Sequence, residues 1–359
     1  MSKMNSLERV VAAIKFEKPD RVPVTPLSIS RSLRVLGYTT AECLYDPEKM
    51  ARAKVAASER FDDDSCVAGT DLFVESECLG SKVTVYEHTP VVTEYFLKEK
   101  SDINKLKVPH PKTDGRMPYV CREIQEIKKL IGDTRVVVPV TGGPLTQASQ
   151  LFGPEQLLIE MVLDPEWVHN LLRICTATSL AYWEALIKAG AHAIVLLEPF
   201  ASDTIISPEQ YAEFVEPYNK EIFEYSWSQG VVGVNHICAD TSLIWEQMSR
   251  IGALGLQIDH VVDMAEAKRR VGSKICISGN VHPVDYMLYG TPAAVYWKSR
   301  EVIAAAAPGS GFVLGSGCDL NPKTPEANIL AMIQAGKDAV YNDDLSITFV
   351  QDSYPRLAA

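Results

Sequence analysis

Short apolar, β-branched segments recur along the chain, each followed by turn residues and a longer stretch whose apolar positions fall three and four apart. Eight such segments stand out, at 22–25, 65–69, 135–140, 193–197, 231–237, 254–258, 274–278 and 312–315. Runs this short read as buried strands, and the stretches between them read as amphipathic helices. The predicted helices cover 154–163, 165–188, 208–229, 241–251, 263–271, 291–307 and 324–342, several of them opening on Pro or on a capping Asp, Ser or Thr. Eight parallel strands joined by helical crossovers predict one closed (β/α)8 TIM barrel spanning residues 1–359, with no linker or charge block dividing it.

Two segments depart from the repeat. Residues 6–16 predict an amphipathic helical extension, N-capped by Ser6, that serves as a lid or floor for the barrel. Residues 82–97, KVTVYEHTPVVTEYFL, alternate apolar and polar positions around His88-Thr89-Pro90, which predicts a β-hairpin inserted after the second strand. Thr141-Gly142-Gly143-Pro144-Leu145-Thr146 reads as a tight strand-to-helix turn, with an anion-binding nest as the alternative.

Composition narrows the class. A net charge of -11 with thinly spread Lys and Arg excludes a nucleic-acid surface. The eight cysteines are scattered through apolar runs, which predicts reduced thiols rather than a disulfide scaffold. No apolar run reaches membrane-spanning length and the first residues lack a signal core, so a cytoplasmic protein without a membrane partner is expected, as a monomer or homodimer.

The chemistry concentrates at three strand ends. The fifth segment closes with His236-Ile237-Cys238, whose i and i+2 positions put both metal-capable side chains on one face. The eighth closes with Gly317-Cys318-Asp319, and the C-terminal mouth of a barrel gathers strand ends into one site. One imidazole and two thiolates make a three-ligand set for Zn²⁺, leaving a coordination position open as catalytic zinc requires. Asp259, ending the sixth segment, is a candidate fourth ligand that an incoming thiolate can displace. Two thiolate ligands keep zinc a mild Lewis acid, suited to ionising a thiol while leaving it nucleophilic. The remaining cysteines read as buried apolar residues.

Weaker candidates surround this set. Glu198 and Ser202 end the fourth segment at mouth height, as substrate contacts or as helix caps. Asn235 and Asp319 flank ligands, either orienting them or serving ordinary turn roles. Gln257 faces either the barrel interior or the helix layer.

Several stretches together resemble the uroporphyrinogen decarboxylase superfamily, most closely its methylcobalamin:coenzyme M methyltransferases. They are Arg9 with Pro19-Asp20-Arg21-Val22-Pro23, Gly143-Pro144-Leu145-Thr146, Ser207-Pro208 with Pro217-Tyr218, and Gly317-Cys318-Asp319 with Pro325-Glu326-Ala327-Asn328. The resemblance implies a (β/α)8 barrel and zinc held by an HxC pair and a Cys about eighty residues on, matched here by His236, Cys238 and Cys318 (318 - 238 = 80). It also implies methyl transfer from a methylated corrinoid, carried by a docking corrinoid protein and not permanently bound, to a small thiol such as coenzyme M. Cobalamin-independent methionine synthase is similar in its His, Cys and Cys set with a carboxylate between, a place Asp259 occupies.

Two other readings accompany it. A uroporphyrinogen decarboxylase would act on a porphyrinogen without a metal, but it holds its substrate through an arginine-rich amino-terminal segment. Residues 28–34, SISRSLR, lack that motif, and Asp71, where the decarboxylase's pyrrole-binding Asp would align, then reads as a cap or hydrogen-bond acceptor. The other reading is a non-catalytic corrinoid-docking protein.

Overall fold

The computed structural model describes residues 4–356. Its strands are β1 (Ser65–Ala68), β2 (Lys82–Tyr86), β3 (Thr89–Glu94), β4 (Val136–Gly142), β5 (Ala193–Leu197), β6 (Val232–His236), β7 (Gly255–Gln257), β8 (Cys276–Val281), β9 (Phe312–Ser316), β10 (Ala339–Tyr341) and β11 (Ile347–Phe349). Seven of them pair in parallel in the order β1-β4-β5-β6-β7-β8-β9. Residues 22–25 supply the eighth stave. On one side the Leu314 N–H donates to the Pro23 carbonyl at 2.9 Å and the Thr25 N–H donates back to Leu314 at 2.8 Å; on the other, the Asp64 N–H donates to the Val24 carbonyl at 2.9 Å. Pro23 and Pro26 lack an N–H, which limits the predicted first strand to the single bridge Val24–Leu314 while the barrel still closes.

Helix Ser6–Ile14 is the floor. Val10 packs on Val136 and Ala193, and Ala13 packs on Cys276 and Val313, so its apolar stripe seals the amino-terminal end of the barrel. Its cap is Asn5, one residue before the predicted Ser6: Asn5 Oδ1 accepts from the Glu8 N–H while Glu8 Oε2 accepts from the Asn5 N–H, each at 2.9 Å. A buried ion cluster clamps the floor to the barrel. Arg9 donates to Asp20 and Asp64 at 2.6 Å, and Asp64 also accepts from Arg21 and from the Val24 N–H at 2.8 Å. Above the floor, Val67, Val140, Val195 and Leu197 meet Leu27 and Ile29 in an upper interior layer.

The inserted hairpin forms as expected, β2 antiparallel to β3 around Glu87-His88. Three predicted helices differ. Segment 208–229 breaks into Pro208–Phe214 and Glu216–Ser228, because Pro217 cannot donate into a continuing ladder and sits instead in a first turn. Segment 241–251 shortens to Trp245–Met248. Segment 324–342 ends at Lys337; Ala339–Tyr341 then pairs antiparallel with Ile347–Phe349 while the Ala339 carbonyl accepts from Val22.

Candidate metal centre

The strands aim their carboxyl ends at a cavity of about 510 Å³ whose wall includes His236, Cys238, Cys318 and Asp319. Alternation along β6 explains the first of these. Val234 faces the barrel interior, so His236, two residues on, points inward as well, while Asn235 is buried outside the cavity with neither side-chain polar atom partnered. Cys238 lies just past the strand, where Ala239 takes a left-handed φ of 68° and turns the chain over the mouth.

The three predicted ligands converge. Cys238 Sγ lies 3.3 Å from His236 Nε2 and 3.7 Å from Cys318 Sγ, and all three ligand atoms fall within 4.8 Å of one another. Tetrahedral zinc, with Zn–S of about 2.3 Å and Zn–N of about 2.0–2.1 Å, spaces neighbouring ligand atoms about 3.6–3.8 Å apart. The donor set and its spacing therefore fit a zinc ion. His236 Nδ1 donates to the Gln257 carbonyl at 3.1 Å, which leaves Nε2 facing the sulfurs with its lone pair free. Gln257 itself faces the barrel interior, donating to the Ser316 carbonyl.

The electrostatics favour one sulfur anion, on Cys318. Cys318 is held below the ordinary thiol range by the hydrogen bond from Cys238 and by the His236 ring, while the same contact pushes Cys238 up. Burial acts to lower the His236 imidazole, but Cys318, the Gln257 carbonyl and Asp259 outweigh it and the ring is raised. Asp319 accepts from the Ile29 N–H at 2.9 Å, and burial pushes its carboxyl up to about 7.

Asp259 stands beside the trio but outside it. Its Oδ2 accepts from the Ala239 N–H at 2.9 Å and its Oδ1 from the Val261 N–H at 3.3 Å, with His260 Nδ1 2.5 Å away. In this arrangement it braces the turn carrying Cys238. Ser202 braces the same region, donating to the Asp240 carbonyl at 3.1 Å rather than lining the cavity. Glu198 turns under the mouth: Oε1 accepts from the Thr146 N–H at 2.6 Å, at the start of helix Pro144–Phe152, and burial pushes the carboxyl up to about 8. The Thr146 N–H at this helix start is thus taken by an internal carboxyl, and the Gly142 N–H by that of Glu75.

Asp71 lines the cavity as a hydrogen-bond acceptor, held bidentate by Arg116 at 2.6 and 3.1 Å. Sequence reasoning gave no site role to several residues of the wall, among them His88 and Pro90 of the hairpin and Asn321. The hairpin was legible, but where it folds was not. An insertion after a strand's carboxyl end emerges at the mouth, and that was the available signal.

Comparisons with known proteins bear on the family and the fold. Residues 5–339 match the family described as uroporphyrinogen decarboxylase (URO-D). A methylcobamide:CoM methyltransferase, MtbA, of Methanosarcina acetivorans is 27% identical over 346 residues, covering 95% of this chain and 100% of that protein. A uroporphyrinogen decarboxylase of Methylobacillus flagellatus is 28% identical over 286 residues, covering 77% and 79%. A solved methyltransferase from Methanosarcina mazei superposes with a TM-score of 0.85 at 26% identity, covering 93% of this chain and 98% of its own.

Proposed function

The chain belongs to the uroporphyrinogen decarboxylase (URO-D) family, and from that premise we propose that it is a zinc-dependent methyltransferase moving a methyl group from a methylated corrinoid to a small thiol. The observation that carries this reading is the His236, Cys238 and Cys318 trio, gathered within 4.8 Å at an open cavity. A decarboxylase has no use for two thiols and an imidazole at ligand spacing. When bound, zinc supplies a Lewis-acid site at which a thiol ionises near neutral pH and remains nucleophilic.

The chain's own residues do the rest. His236 keeps Nε2 available because its Nδ1 proton is committed to Gln257, and Cys238 is set in place by the turn that Asp259 braces. The apolar wall, including Leu27, Ile29 and Phe73, offers the body of the thiol a nonpolar surface beside the ligand set. The acceptor's proton leaves to solvent, its sulfur lone pair forms the S–CH₃ bond, and the Co–C bond breaks with both electrons staying on cobalt, taking cobalt(III) to cobalt(I). The corrinoid is a substrate that docks over the mouth on its carrier protein.

The test is incubation of zinc-loaded protein with methylcobalamin and a panel of thiols, following the loss of cobalt methylation by absorbance. Demethylation dependent on both protein and thiol is expected. Release of CO₂ from uroporphyrinogen in a parallel incubation, with no demethylation, would establish the decarboxylase instead. Zinc bound tightly, with neither reaction, would point to the docking protein.

A further inference from the structure

The mouth also bears on which thiol it takes, an inference that rests on the methyl-transfer reading. Its wall is largely apolar, with Leu27, Ile29, Leu72, Phe73, Pro283 and Val284 among its residues. Among the described residues it presents no lysine or arginine; its acidic side chains are Asp71 and Asp319. The nearby cations lie outside the wall and are engaged, wholly or in part, by other groups. Arg116 spends all three guanidinium nitrogens on Asp71, Thr70 and Glu77, one positive charge against two negative ones. Lys54 is closed off by the Gly69 carbonyl and Glu123. Arg31, which is not part of the wall, donates through Nε to the Thr324 carbonyl over the Phe61 ring and keeps its Nη1 buried without a partner, and Arg34 reaches the Gly37 and Tyr38 carbonyls at the surface.

An anionic substituent on the acceptor would therefore lose its hydration in a largely apolar cavity that holds Asp71 and the site thiols, with no cation in its wall. Desolvation and like-charge repulsion both oppose that. Among the polar groups of the wall, one ring nitrogen is buried without a partner. His88, at the turn of the hairpin, has a buried Nδ1 with no partner, and burial holds its ring below the ordinary imidazole range, so it enters the wall uncharged.

We propose that the acceptor is a small thiol without an anionic group, its carbon body against the apolar wall and an uncharged polar end hydrogen-bonded to His88. A sulfonate- or carboxylate-bearing thiol is the poorer ligand.

The test uses cobalt(II)-substituted protein titrated with 2-mercaptoethanol and with 2-mercaptoethanesulfonate, which share a carbon skeleton and differ in the charged end. Sulfur-to-cobalt absorption reports binding without turnover. At equal thiolate concentration the neutral thiol should half-saturate at a concentration lower by about tenfold or more, the scale of one unfavourable buried charge contact. Equal or tighter binding of the sulfonate overturns the proposal, as does the absence of absorption with either thiol. His88→Ala should weaken the neutral thiol by about three- to tenfold, the loss of one hydrogen bond, with cobalt content unchanged; an unaltered titration removes His88 from the site. Ile29→Arg should narrow the preference by giving the sulfonate a counter-ion. Methylcobalamin is then added to the same mixtures: if the order of binding holds but no thiol is methylated, the methyl-transfer reading falls and the acceptor class stands.

Discussion

The HxC pair could be read from the chain because strand alternation fixes where i and i+2 point, and Cys318 because a barrel gathers its strand ends. Asp259 shows the limit of such reading: a carboxylate at the right height proved to be engaged by the N–H groups of Ala239 and Val261, contacts that depend on loop dihedrals no periodicity encodes. The two kinds of residue should separate by metal content. Cys238→Ala or Cys318→Ala should take zinc from about one per chain to near zero by elemental analysis, since two protein ligands hold the ion poorly. Asp259→Asn should keep full stoichiometry and lose affinity by about 10–100-fold against a competing chelator, as a residue that orients ligands does. Complete zinc loss in Asp259→Asn would make the carboxylate a ligand.

The predicted helices held where apolar periodicity ran uninterrupted and were misjudged where a single residue redirected the chain, as at Pro217 within 208–229, while helices Pro47–Phe61, Met117–Ile131 and Pro144–Phe152 were not predicted. The turn entering helix Pro144–Phe152 shows how one element depends on such a residue. A Cβ on Gly143 would lie 1.5 Å from Glu198 Oε2, so Gly143→Ala should displace the carboxylate from the helix start and destabilise the fold by roughly 2–3 kcal/mol in denaturant titration. Glu198 also gives stability a pH dependence. Its folded carboxyl titrates at about 8, above the unfolded value. The associated stability is whole below the unfolded range near pH 4.3 and drains as pH rises through 8, at up to about 1.4 kcal/mol per unit. Glu198→Gln should flatten the fall of melting temperature over that window; an unchanged slope would assign it to other groups.

At the scale of the molecule, the eight-stave count was legible, but the form of the first stave was not: Pro23 and Pro26 leave it one bridge, and side-chain ions replace the missing ladder. Asp64 holds that arrangement together, buried between Arg9, Arg21 and the Val24 N–H. Asp64→Ala, which strands two guanidinium groups, should lower stability by about 3–5 kcal/mol as read by chemical unfolding, and should loosen the floor helix in hydrogen exchange before the mouth. The described residues contain no helix long and apolar enough to cross a membrane.

The hydrogen bond between Thr25 and Leu314 joins residues 314 - 25 = 289 positions apart. During translation, the first stave leaves the ribosome long before its partner exists. Until then Val22 and Val24, fully buried in the finished barrel, lack their β9 neighbour, and the unclosed edges of the growing sheet stand open to other chains. The nascent polypeptide is therefore most exposed to misassembly just before the last stave is made, a window in which chaperone capture would matter most.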